Sequence, residues 1–184
     1  MKDFNDDGTI DWLDSVKFFV DPKDLDLGST FVDLLTTFEG VKYEAYLDSV
    51  GVWTIGVGFT EGVHKGMTMT EDEVQDRLLD EIARFENGVD SVVKVPITQY
   101  MFDAMVSLSY NIGVAGFKGS SVVKRLNDGN IEGAADAFLM WNKGTINGKK
   151  TEIAGLTRRR HAERDMFLTG DWEKWQSSNW KEYL

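Results

Sequence analysis

The stretch 43–60 narrows the folds open to this chain more than any other. It alternates aromatic, small and β-branched residues and carries glycines at 51, 56 and 58. That pattern predicts a small antiparallel sheet, with glycines that let a polymer or another backbone come close. On either side the apolar residues recur at helical spacing. Ser29 or Thr30 can cap a helix whose inward stripe is Phe31, Leu34, Leu35 and Phe38, ending at Gly40. Val63–Met69 reads as a loop. Thr70 and Glu73 then form a capping box, and Val74, Leu78, Ile82, Phe85 and Val89 trace one long helix to about residue 92. Beyond Pro96, Thr98 opens a helix that is apolar around nearly its whole circumference (Met101, Phe102, Ala104, Met105, Val106, Leu108, Tyr110), which predicts a buried central helix. Ser121–Asp128, Ile131–Trp141 and Leu156–Thr169 are further helical patterns, closed by Gly129, Gly144 and Gly170. Residues 142–155 read as a loop, and the tail with Trp172, Trp175 and Trp180 as short helices folded back. The order predicts a mainly α, α+β chain. An extension, 1–28, precedes a sheet-bearing lobe at about 29–69, a connecting helix at about 70–93 and a helical lobe at about 94–184.

At 184 residues and 42% apolar content the chain suits one domain plus an extension; a domain of this size buries roughly 70% of its unfolded surface. It has no cysteine, so disulfides contribute nothing. A net charge of −11 argues against nucleic-acid binding through a basic face. It gives no attraction to anionic lipid or wall polymer either. No apolar run reaches spanning length, and the acidic opening residues contain no apolar signal core, so neither membrane insertion nor a signal peptide is expected.

Residues 3–14 carry a metal-loop pattern. Asp3, Asn5, Asp7, Thr9, Asp11 and Asp14 fall at loop positions one, three, five, seven, nine and twelve, with Gly8 at six and Ile10 at eight. Hard oxygens at these positions and a glycine for the sharp turn suit Ca²⁺. The loop resembles those of EF-hands and dockerins, with two departures. Position twelve is Asp rather than Glu, and no helix precedes the loop. A solvated acidic tail is the alternative reading. Calcium, if bound, would be structural.

The chemistry-bearing residues lie around the sheet. Glu39 closes the helix before it, Asp48 follows in a turn before Gly51, and Thr54 follows in the β-branched run. Two carboxyls facing each other across a substrate are the minimum for hydrolysing a glycosidic bond. A helix C-terminus does not favour a carboxylate, so Glu39 sits where charge alone would not put it.

These residues stand in a frame, Glu39-Gly40, Tyr46, Asp48, Gly51, Thr54-Ile55-Gly56 and Gly58, that resembles the phage-type lysozymes, glycoside hydrolase family 24. The likeness continues through Phe102-Asp103-Ala104, Tyr110-Asn111-Ile112-Gly113, Gly116-Phe117, Ser120, Gly133-Ala134-Ala135, Trp141-Asn142 and Gly155-Leu156 before Arg158-Arg159-Arg160. The resemblance implies a two-lobed fold and hydrolysis of the β-1,4 bond between N-acetylmuramic acid and N-acetylglucosamine in peptidoglycan, with inversion and without a cofactor. Glu39 would be the general acid, which must hold its proton at working pH and is therefore expected to be partly buried. Asp48 would be the base, roughly 6.5–9.5 Å from the acid to leave room for water, and Thr54 would orient that water. Arg159 would reach across a cleft to the acid, and Tyr110 and Ser120 would touch sugar. The structural alternatives are a solvated basic face for the arginines, core packing for Tyr110 and a helix cap for Ser120.

Phe59 stands where the family often has a histidine paired with an acid, and is expected to add hydrophobicity to the cleft. His64 and His161 have no partners at zinc-motif spacing and read as structural. The resemblance further implies a monomer held in the host cytoplasm until release to the periplasm. The rival readings are a non-catalytic peptidoglycan-binding virion component and a lytic transglycosylase, which needs no water-activating base.

Overall fold

The predicted stripe Val74, Leu78, Ile82, Phe85 and Val89 is buried along one face of a 20-residue helix, Glu71–Asp90. The computed structural model describes residues 19–48, 51–146 and 148–184; the candidate calcium loop, 3–14, lies outside the described residues. The chain divides into two compact units. One is residues 29–84; the other is 85–184 together with the N-terminal segment.

In the first unit, helix α1 (Ser29–Glu39) buries Phe31, Leu34 and Leu35. Its last turn ends at Gly40, whose N–H donates to the Thr36 carbonyl at 3.0 Å. Strands β1 (Lys42–Leu47) and β2 (Trp53–Gly56) pair antiparallel, with Leu47 opposite Trp53 and Tyr46 opposite Thr54. The register shifts between Lys42 and Tyr46, because the middle of β1 turns to a different partner. There the Ala45 N–H donates to Met67 and the Met69 N–H to Tyr43, each at 2.9 Å. The expected loop 63–69 therefore serves as a further edge for β1. Gly56 has φ +64°, and a Cβ there would meet the Phe59 ring at 2.5 Å, so a side chain at this position is excluded twice over. Helix α2 (Glu71–Asp90) starts on the predicted capping box. The Thr70 N–H donates to the Glu73 carboxylate at 2.7 Å, and the Glu73 N–H to the Thr70 hydroxyl at 3.2 Å.

The second unit is helical. Helix α3 (Gln99–Ile112) is capped by Thr98, which accepts from the Met101 N–H, and every residue from Met101 to Ser109 is buried. Four further helices follow: α4 (Val114–Lys118), α5 (Ser121–Asn127), α6 (Ile131–Phe138) and α7 (Ala154–Thr169). α3 and α7 pack on each other more extensively than any other helix pair in the unit. The tail folds back as expected, in 3₁₀ turns at Glu173–Gln176 and Trp180–Tyr183. Trp172 and Trp175 are buried, and the Trp175 ring N–H donates to Asp165 at 2.7 Å.

One expectation needs correction. Residues 142–155 are not a plain loop. They hold strands β3 (Lys143–Ile146) and β4 (Lys149–Glu152), paired antiparallel with Ile146 opposite Lys149. Asn-Gly is a strong hairpin signal, and Gly148 has the positive φ, +75°, that such a turn demands. The strands escape hydrophobic patterning because β4 is exposed along its whole length. The stretch before α1 is tied to the second unit. Val20 and Ile97 exchange backbone hydrogen bonds at 2.9 Å, and the Gly28 N–H donates to Asp103 at 3.1 Å. Gln99 donates to both the Asp26 carbonyl and Asp103.

Candidate active site

Glu39, Asp48 and Thr54 all lie in the first unit, and Asp48 and Thr54 are joined through the backbone of one residue, Val52. The Val52 N–H donates to the Asp48 carboxylate at 2.8 Å. The Val52 carbonyl accepts from the Asp48 N–H at 2.9 Å and from the Thr54 hydroxyl at 3.1 Å. Asp48 is also the first residue of the turn, its carbonyl accepting from the Gly51 N–H at 3.1 Å. Aspartate is favoured at that turn position for its own sake, so local folding and chemistry make the same demand here. Because the ladder continues from Tyr46–Thr54 to Asp48–Val52, strand alternation sets Tyr46, Asp48, Val52 and Thr54 on one face of the hairpin. Thr54 is buried at 4% exposure. Its proton is committed to Val52, so its oxygen serves a neighbour as acceptor. Glu39 is the final residue of α1 and is exposed, not partly buried as a general acid is expected to be.

The Phe59 ring does not add an apolar surface. It is 1% exposed, packed against Gly56, with the Arg77 guanidinium 4.7 Å from its centroid. Arg77 is held in turn by the Glu61 carbonyl at 2.7 Å and by Glu81 at 3.3 Å. A cation on an aromatic face thus stands where the family pattern has a histidine paired with an acid.

The other predicted site residues belong to the second unit. Ser120 is the N-cap of α5, buried, its hydroxyl accepting from the Val123 N–H at 3.3 Å. Tyr110 is half-buried with its ring 5.0 Å from Phe85. Arg159 and Arg160 are not a solvated face. Both are buried, and both reach Glu163, one turn on. Arg159 Nε donates to Glu163 Oε1 at 3.0 Å, Arg160 Nη2 to the same oxygen at 3.0 Å, and the Ser107 hydroxyl also donates to it at 2.7 Å. Arg160 Nε lies 2.9 Å from Oε2 as an ion pair without hydrogen-bond alignment. Glu163 and Ser107 were missed from the sequence. The Arg–Glu spacings of four and three on a helix were the legible signal for Glu163; Ser107, inside an apolar helix, gave none. Arg158 donates to the Trp175 carbonyl. His161 stacks on Trp175 with centroids 4.9 Å apart, and burial holds its pKa below the ordinary histidine value. His64 is exposed, and no group of three or more metal-ligating side chains occurs among the described residues.

An acid at a helix end and a hairpin that couples a carboxylate to a hydroxyl supply the two carboxyls that hydrolysis of a glycosidic bond requires. The comparisons give the family. The phage lysozyme family model matches residues 36–163. The chain is similar to the endolysin of Acyrthosiphon pisum secondary endosymbiont phage 1, 37% identical over 134 residues covering 73% of this chain and 92% of the relative. It is similar to the endolysin of Salmonella phage P22, 39% identical over 150 residues covering 79% and 99%. Among solved structures it resembles the endolysin from Escherichia coli O157:H7 phage FAHEc1, with a TM-score of 0.78, 38% identity and coverage of 84% of this chain and 99% of that one. The chain belongs to the phage lysozyme family, and it is a lysozyme-type hydrolase.

Proposed function

We propose that the chain hydrolyses the β-1,4 bond between N-acetylmuramic acid and N-acetylglucosamine in peptidoglycan, with Glu39 as general acid and Asp48 as general base. The observation that carries the reading is the Val52 backbone, whose N–H and carbonyl hold the Asp48 carboxylate and the Thr54 hydroxyl respectively. A water donating one proton to the Thr54 oxygen and the other to Asp48 has its lone pairs turned towards a sugar carbon. Glu39 protonates the leaving oxygen, and attack from the opposite side inverts the anomeric centre. No cofactor is needed. The family resemblance adds Arg159 as the cation that tunes the acid and Tyr110 and Ser120 as sugar contacts; Ser120 keeps this role only alongside its work as a helix cap.

The protein acts as a monomer without nucleic acid, as a phage endolysin that waits in the host cytoplasm until it is released to the periplasm. No described helix is long and apolar enough to cross a membrane. In the same reading Asp3, Asn5, Asp7, Thr9, Asp11 and Asp14 hold a structural Ca²⁺, so added calcium raises the melting temperature and a chelator reverses it.

Mass spectrometry of muropeptides tests the reaction. The expected products are hydrated reducing ends, and Glu39→Gln lowers their rate of formation by about 10²–10⁴-fold. Products lighter by one water, 1,6-anhydro sugars, identify a transglycosylase instead. Binding with no product identifies a wall-binding component.

A further inference from the structure

The face of the hairpin that carries Asp48 and Thr54 also carries two side chains without an assigned role. Tyr46 is 39% exposed and Val52 is 42% exposed. Tyr46 is directly opposite Thr54 across the ladder, which places their Cβ atoms about 5 Å apart. It is two residues from Asp48 along the strand, a rise of about 7 Å. The arrangement inverts what packing alone would choose. The small threonine is almost wholly covered at 4% exposure, while the large aromatic ring beside it stands open. Nothing in the first unit's core calls for the ring there. Phe31, Leu34 and Leu35 of α1, with Ile55, Val57 and Phe59, are already closed without it, each at or below 1% exposure.

An exposed aromatic ring beside fixed polar groups is what a carbohydrate requires. A pyranose presents a face of C–H groups that packs on an aromatic surface, and an edge of hydroxyls and amides that does not. Tyrosine suits this at low entropic cost, with an apolar body and a polar tip. We propose that Tyr46 is a substrate-contacting residue: its ring packs against the apolar face of an N-acetylated pyranose next to the bond that Asp48 and Thr54 address. Val52, exposed on the same face, extends the apolar strip. Tyr46 thereby fixes which step of a β-1,4-linked amino-sugar chain lies over the Asp48 carboxylate. The inference rests on the proposed roles of Asp48 and Thr54 and adds the position of the substrate relative to them.

The test uses an N-acetylglucosamine oligomer as probe, with affinity measured calorimetrically in a Glu39→Gln background and kcat and KM measured in the otherwise unaltered protein. Tyr46→Ala is expected to weaken affinity and raise KM about tenfold. Tyr46→Phe is expected to recover most of that loss, because the ring and not the hydroxyl makes the contact. Melting temperature checks that the alanine variant is folded. Affinity and KM unchanged in folded Tyr46→Ala would overturn the proposal. So would a fall in kcat alone, since the ring would then be seating Asp48 and Thr54 and not the sugar. If the unaltered protein neither binds nor cleaves the oligomer or the wall polymer, the functional reading itself fails and the proposal with it. Cleavage by the unaltered protein that is indifferent to the ring removes only the proposal.

Discussion

Asp48 and Glu163 are both carboxylates that accept hydrogen bonds within the fold, but their partners differ in kind. Asp48 is held by the backbone of a hairpin, through the N–H of Val52, four residues on. Glu163 is buried among side chains, taking two guanidiniums and a serine hydroxyl. Backbone partners come with the turn and persist when the side chain is changed to another acceptor. Side-chain partners depend on one another, and removing the shared anion takes a charge partner from a low-dielectric interior. The first arrangement can expose a reactive group in a set direction at little cost to folding. The second ties α7 to α3 and tolerates almost nothing.

The largest effect that would break this contrast is at Glu163. Glu163→Ala leaves Arg159 and Arg160 buried without their shared anion and is expected to cost about 3–5 kcal/mol in urea unfolding. A variant within about 1 kcal/mol of the parent would show that the cluster does not bear on stability as described.

Asp103 sharpens the same point, since it is a buried carboxylate whose partners are the Gly28 N–H and the Gln99 amide rather than arginines. Burial pushes its pKa up to about 6, with the charge of Glu86 adding to the rise. An acid whose folded pKa is raised binds more protons folded than unfolded across the interval from the ordinary value, 3.8, to about 6. Stability therefore falls as pH rises through that window and levels off above it. The expected loss is up to about 3 kcal/mol. Burial raises Glu86 and Asp90 as well, in the same direction. Asp103→Asn should flatten much of the slope between pH 4 and 6, measured by chemical unfolding at a series of pH values. An unchanged slope would assign the linkage elsewhere.

The smallest effect belongs to the first unit. Thr70 and Glu73 close a reciprocal cap in the same backbone-to-side-chain manner as Asp48 and Val52. Thr70→Ala is expected to cost about 1 kcal/mol with activity unchanged. A loss as large as that at Glu163 would erase the distinction between the two kinds of cluster.

Much of this was legible in the letters because periodicity and punctuation agreed. The stripe on α2, the Thr98 cap and the folded Trp tail all follow from local rules. The β3–β4 hairpin was not, because β4 is exposed along its whole length and leaves no alternation; only the letters Asn147-Gly148 announced it. Ser107 was hidden for the opposite reason. Its meaning depends on α3 and α7 packing together, which brings it to Glu163, 56 residues away in sequence. Phe59 misled because a substitution read against a family pattern says what is lost and not what fills the gap, which here is the Arg77 guanidinium. At the site, the spacing of Glu39, Asp48 and Thr54 was plain. That the backbone of one residue, Val52, joins the last two was not, since it depends on the turn geometry at Asp48.

Asp48→Asn is the most direct trial of the claim that the hairpin carries the chemistry. The asparagine oxygen can still accept from the Val52 N–H, so the turn is kept while the base is removed. The account predicts an unchanged melting temperature and a kcat on peptidoglycan lower by about 10²–10⁴-fold. A folded Asp48→Asn protein that clears cell walls at the parental rate would contradict it.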